Sequence, residues 1–121
     1  MTRLRLTKEA SNRLRFVAGK TGLTPNLLCR LGFCYSLSDP SIPNPDDYPE
    51  EDREFNRYTL LGEYDQLFVA LLRERCRIDG LDLERLPDYF RAHMNRGVTL
   101  LQHRIRGIAD IAEIASRSGA T

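Results

Sequence analysis

The chain opens on a two-residue period. In TRLRLT, residues 2–7, Leu4 and Leu6 fall on one side and Arg3, Arg5 and Thr7 on the other, the alternation of a half-buried strand. The period then lengthens. Thr7 can cap a helix, Glu9 sits where the helix dipole favours an acid, and Ala10, Leu14, Val17 and Ala18 share one helical face, with Asn12 and Arg15 off it. Phe16 lies outside that stripe, which points to a second buried surface. Gly19 is placed to end the helix in a left-handed conformation and Gly22 to turn the chain tightly. Thr24 followed by Pro25 is an N-cap with proline at the first helical position, so a second helix starts at Pro25. Leu27, Leu28, Leu31, Cys34 and Tyr35 give it a broad apolar surface, with Cys29 and Phe33 on the other side and Arg30 as the main charged interruption. A helix apolar on so many sides is covered from several directions, which in a 121-residue chain predicts an oligomer.

Periodicity lapses in SDPSIPNPDDYPEEDRE, residues 38–54, where Pro40, Pro43, Pro45 and Pro49 predict an irregular, solvated loop. It resumes over a third helix, Thr59 to Ile78, with Leu60, Tyr64, Leu67, Phe68, Leu71 and Leu72 as its core stripe and Gly80 as its stop. LDLERLPDYFRAHMNRG reads as a turn and a shorter helix ending near Gly97. A last helix, Val98 to Ala115, sets Val98, Leu101, Ile105, Ile108, Ala112 and Ala115 against Gln102, His103, Arg106, Asp110 and Glu113. The expected fold is mainly α. A β-α-α unit at the amino terminus precedes about three further helices in a single domain spanning 1–121, made of a basic unit (1–38), an acidic loop (38–56) and a helical part (57–121).

Charge changes this picture more than composition does. The formal net charge is only +1. Yet residues 1–38 carry seven basic side chains against Glu9 alone, and residues 39–56 carry seven acids against Arg53 alone. A basic unit beside an acidic loop can attract a polyanion while the total hides it. The acids lack the D-x-[DN]-x-[DN]-G spacing of a calcium loop. No apolar run approaches the roughly 18 residues that span a bilayer, and three cysteines, Cys29, Cys34 and Cys76, without a signal sequence read as small core hydrophobes of a cytosolic, soluble protein.

Little in the sequence points to catalysis. GKT at residues 19–21 imitates the end of a phosphate-binding loop, but Leu14 stands where G-x-x-x-x-G-K-[ST] needs its first glycine, and a helix rather than a strand precedes it. His93 reads as a core-edge residue and His103 as part of a polar face, and neither pairs with cysteine at a zinc-binding spacing. No enzyme activity, metal or cofactor is expected.

The order strand, helix, glycine turn and capped helix fits DNA binding. A strand bearing arginines can pair with its copy on a second subunit to make a ribbon for the major groove, with a phosphate held at the start of the second helix. An ordinary edge strand with solvated arginines is equally compatible. TGLTPNLLCRLGF (21–33) resembles the signature of the DndE family, small proteins of bacterial DNA phosphorothioate modification. RLRLTKEASNRLRFVAGK, LLGE (60–63) and AHMNRG (92–97) resemble that family as well. The resemblance implies a non-catalytic, ribbon-helix-helix-like protein, tetrameric, that binds duplex DNA and favours nicks. It would work beside a cysteine desulfurase, an adenylating sulfurtransferase with an iron–sulfur cluster, and an ATPase. By motif, Thr21, Gly22, Thr24 and Asn26 carry over to the DNA-binding turn. Charge and backbone access add Arg3, Arg5, Lys8, Arg13, Arg15, Gly19 and Lys20. A protein-only scaffold or regulatory subunit built on helices two and five is the alternative.

Overall fold

A computed structural model describes residues 1–105 of the chain. In order, the elements are β1 (Arg3–Arg5), α1 (Lys8–Thr21), α2 (Pro25–Ser38), β2 (Glu54–Asn56), α3 (Arg57–Leu61), α4 (Asp65–Ile78) and α5 (Leu86–Arg104), joined by single turns of 3-10 helix at Pro45–Asp47, Gly62–Tyr64 and Leu83–Arg85. The mainly helical fold with its amino-terminal β-α-α unit is as the periodicity predicts. Ile108, Ala112, Ala115, Arg106, Asp110 and Glu113 of the expected last helix lie outside the described residues.

The first difference concerns the partner of β1. It pairs antiparallel with β2 of the same chain, Arg3 opposite Asn56, Leu4 opposite Phe55 and Arg5 opposite Glu54. The ribbon therefore forms within one subunit and needs no copy of itself. Leu4 and Phe55 face the core together, a cross-strand apolar pair that fixes the register. Flanking bonds from Leu6 N–H to Arg53 O and from Asp52 N–H to Leu6 O, both 2.9 Å, extend the pairing.

The acidic stretch that supplies β2 is correspondingly less irregular than expected. Its acids are exposed apart from the half-buried Asp39, but Pro43, Pro45 and Phe55 are buried, and arginines from the helical part hold its carbonyls. Arg91 donates to Tyr48 O at 2.8 Å, Arg96 to Ser41 O at 2.9 Å and Arg75 to Asp39 O at 2.6 Å. Acidic composition argued for solvation, whereas the backbone oxygens are what the fold uses.

Local chemistry places most helix ends. Thr7 Oγ1 accepts from Ala10 N–H at 3.0 Å and Thr24 Oγ1 from Leu27 N–H at 3.2 Å. Gly19, however, lies inside α1. The helix ends at Gly22, whose φ of 74° is the left-handed C-cap, so one glycine performs both tasks expected of two. The expected helix 59–78 is broken. Asn56 caps α3 by accepting from Tyr58 N–H at 2.9 Å, Gly62 takes φ 60°, and the chain restarts at Asp65. Conversely, Gly97 ends nothing, since α5 runs through it.

The core is centred on α2 against α5. Phe33 meets Phe90 edge-on at 5.6 Å and Phe68 at 5.9 Å. Where these helices cross, Gly32 faces Gly97. A β-carbon on Gly97 would overlap the Gly32 carbonyl oxygen, and one on Gly32 would stand 2.8 Å from the Gly97 carbonyl carbon. The absence of both side chains lets the two backbones touch, and it is the physical content of the final glycines in RLG and MNRG. On α4 the buried residues are Phe68, Leu72 and Cys76. Tyr64, Leu67 and Leu71, expected in the core stripe, are 50%, 54% and 44% exposed. Cys29 and Cys76 are buried as expected, but Cys34 is exposed. His93 is fully buried, deeper than the core edge.

Candidate nucleic-acid interface

The solvent side of α1 follows from its 100° step. With Ala10, Leu14, Val17 and Thr21 turned inward, Lys8, Glu9, Asn12, Arg15, Phe16, Gly19 and Lys20 are all exposed and fall on one outward face. Lys8, Arg15 and Lys20 are its cations, spread over a rise of about 18 Å, roughly half a turn of B-DNA. Arg15 leans on Asn12 Oδ1 at 3.3 Å, and the Lys20 ammonium lies 5.1 Å from the centroid of the Phe16 ring. None is held by a carboxylate among the described residues, so the charges are available to an external anion.

The remaining candidates separate by their partners. Arg13 is committed to Glu9 at 2.8 Å and sits 3.3 Å from His103 Nε2. Arg3 and Arg5 flank Glu54 at 3.8 and 3.9 Å, weak exposed pairs that a phosphate can displace. Thr21 is buried. Its hydroxyl donates to Val17 O at 2.9 Å and accepts from Leu23 N–H at 3.2 Å, so it shapes the turn. Thr24 is spent on capping, and Leu28 N–H bonds Thr24 O at 3.1 Å. Since Pro25 has no N–H, Asn26 supplies the one uncommitted amide of that first turn. The expected phosphate cradle at the start of α2 is thereby reduced to a single donor. Gly22 is exposed, and a β-carbon there would meet nothing within 4 Å.

Gly19 is the unexpected member. It has no positive φ, and a β-carbon on it would also meet nothing within 4 Å, so nothing inside the subunit requires glycine there. In an exposed helix glycine costs about 1 kcal/mol relative to alanine. Gly19→Ala is expected to stabilise the isolated chain by roughly 0.5–1 kcal/mol, read as a raised urea midpoint at unchanged slope. The bare backbone between Arg15 and Lys20 is thus a local cost that no contact among the described residues offsets.

Burial shifts the titration of the three cysteines and of His93. Burial pushes the Cys29 thiol up to about 12, and desolvation also raises Cys34 and Cys76, which withholds the thiolate that a sulfur carrier needs. Burial, reinforced by the Arg96 and Arg75 charges, lowers His93 to about 3. Its Nδ1 is 2.8 Å from Ser36 Oγ, which also accepts from Arg96 Nε at 2.9 Å. Among the described residues, no group of three or more His, Cys, Asp or Glu is placed to hold a metal ion, and no helix is long and apolar enough to cross a membrane.

Sequence reasoning missed Asn95. It is fully buried, accepts from Thr7 N–H at 2.8 Å and donates to Arg5 O at 3.3 Å. The junction that launches the cationic helix is therefore pinned to α5, and AHMNRG is a structural motif whose Asn95 supports the site from beneath.

A family model described as DNA sulphur modification protein DndE matches residues 3–107. The chain is similar to the crystal structure of DndE from Escherichia coli B7A, involved in DNA phosphorothioation modification, at 26% identity and a TM-score of 0.66 over 84% of this chain and 97% of that one. A crystal structure of a DndE variant with two glycines replaced by lysine, also involved in DNA phosphorothioation, shares the fold at 23% identity and a TM-score of 0.61, over 81% of this chain and 96% of that one. No curated protein matches the chain significantly.

Proposed function

We propose, from the premise that this chain belongs to the DndE family of DNA sulphur modification proteins, that it is a non-catalytic DNA-binding subunit of phosphorothioate modification. It binds duplex DNA with a preference for nicks, in the cytoplasm and as a homo-oligomer, a tetramer by resemblance. The sulfur is mobilised and activated by partner enzymes: a cysteine desulfurase, a sulfurtransferase and an ATPase. The observation that carries the reading is the outward face of α1, where Lys8, Arg15 and Lys20 surround the bare backbone of Gly19. Raised cysteine pKa values support a role without sulfur transfer of its own.

Self-association draws support from a second surface. Leu67, Leu71 and Ile78 of α4 and Leu27 of α2 are 54%, 44%, 67% and 45% exposed, and Cys34 and Leu37 share an apolar groove with Leu71 and Ile78. A protein-only scaffold would use that same surface. Of the fifth helix expected from the sequence, Val98 to Ala115, Val98 and Leu101 are buried, and residues 106–115 lie outside the described residues.

Duplex binding at several salt concentrations separates the readings. Lys20→Glu is expected to weaken binding to all sequences alike and to flatten the salt slope by about one unit. Arg73→Glu on α4 is expected to change neither. Equal losses at both positions would reduce the site to diffuse attraction. Absence of DNA binding by the wild-type chain would favour the scaffold.

A further inference from the structure

Phe16 is 50% exposed on a helix face that carries the cations Lys8, Arg15 and Lys20 and one acid, Glu9, which is paired with Arg13. A single exposed aromatic is ordinary on a protein surface, and what distinguishes Phe16 is its place among cations that no carboxylate among the described residues holds. A second copy meeting this face with its own α1 face is a poor candidate to cover it, because that would bring Lys8, Arg15 and Lys20 against their own like charges. The exposed aliphatic residues of α2 and α4 offer a more apolar surface for that purpose. A polyanion suits the charges, and within a nucleic acid the groups that suit a phenyl ring are the faces of bases. Aromatic side chains interleaved with cations are how proteins hold bases whose faces are free.

We propose that Phe16 is a stacking residue for a base exposed where the duplex stack is interrupted, at a strand break or in a single strand. This deepens the reading of α1 as the DNA-contacting helix and rests on it. In continuous B-DNA each internal base is covered on both faces by its neighbours, so the ring has nothing to stack on. At an interruption one face becomes available. The Lys20 ammonium, 5.1 Å from the ring centroid, sits where it can meet the adjoining phosphate. Gly19, with no side chain, leaves the strand room to approach the helix. Phe16 thereby confers selectivity for interrupted DNA, while the cations supply affinity common to all DNA.

The chain has no tryptophan, so Phe16→Trp introduces a single indole at this position, which can be excited at wavelengths where the five tyrosines do not absorb. Its emission is expected to be quenched by a single-stranded oligonucleotide and by a nicked duplex, and to change little with the intact duplex of the same sequence. Phe16→Leu keeps apolar bulk and removes the π face. It is expected to lose about tenfold in affinity for single-stranded and nicked DNA and less than about twofold for intact duplex, with oligomer size by light scattering unchanged. Equal losses on all three DNAs, or none, with the wild type binding normally, would overturn the proposal. A smaller oligomer for Phe16→Leu would overturn it as well and assign Phe16 to a subunit contact. Failure of the wild type to bind any of the three would instead remove the DNA-binding reading itself.

Discussion

Gly97→Ala is expected to cost at least about 3 kcal/mol of folding stability, read as a fall in the urea midpoint, even though helix propensity alone would favour alanine by about 1 kcal/mol. The opposing terms can be ranked because the obstacle is backbone. The new β-carbon would overlap the carbonyl of Gly32 and lie 2.9 Å from Phe33 N. Neither atom can rotate aside as a side chain could. Relief requires α2 and α5 to separate, which would open the contacts of Phe33 with Phe90 and Phe68. Gly32→Ala is the milder twin, its nearest contacts being 2.8–2.9 Å. If Gly97→Ala raised the midpoint, as the same exchange is expected to do at Gly19, the close crossing would be wrong.

Arg75→Met is the second substitution expected to be severe, at about 3–5 kcal/mol. Its guanidinium pairs with Asp79 at 2.8 Å, with both side chains nearly buried at 11% and 9% exposure. It also donates to Leu37 O, Asp39 O and Ser41 O at 2.9, 2.6 and 2.8 Å. Methionine fills a similar volume but strands a carboxylate and two carbonyls at the carboxyl end of α2, while Ser41 O keeps Arg96. Arg75→Lys is expected to recover only part of the loss, because a compact ammonium cannot span donors that a planar fork reaches together. Thermal unfolding measures the loss of stability. Faster proteolytic nicking in residues 39–52 would report the released loop. A domain of this size has roughly 5–15 kcal/mol in total, so either substitution removes a large share.

What the sequence made legible was mainly what neighbouring residues decide. Thr7, the Thr24–Pro25 pair and the inward stripe of α1 act through atoms three or four positions away, and each stands where periodicity and capping chemistry put it. Gly97 was misread for the complementary reason. A glycine near the end of an apolar run looks like a stop, and only the crossing with Gly32, far off in sequence, reveals it as a contact. Phe55 was hidden within an acidic, proline-rich stretch because arginines and not apolar residues stand two positions to either side of it, so no alternation marks β2, which exists through pairing with β1. At the candidate site the cations themselves were legible. Their availability was not, since Glu54 beside Arg3 and Arg5, and His103 beside Arg13, approach from remote segments.

The bond between Asn95 and Thr7 links residues 88 positions apart, and that separation sets an order of events during synthesis. At roughly 5–20 residues per second, Asn95 is added some 4–18 s after Thr7. Until it arrives, the Thr7 amide and the Arg5 carbonyl lack the partner that anchors the start of α1. The basic segment thus leaves the ribosome ahead of α5 and is locked into place only when α5 follows. A nascent chain interrupted before residue 95 would present its lysines and arginines as a loose cationic tail, attracted to any nucleic acid nearby and without the rigid face that the complete protein offers.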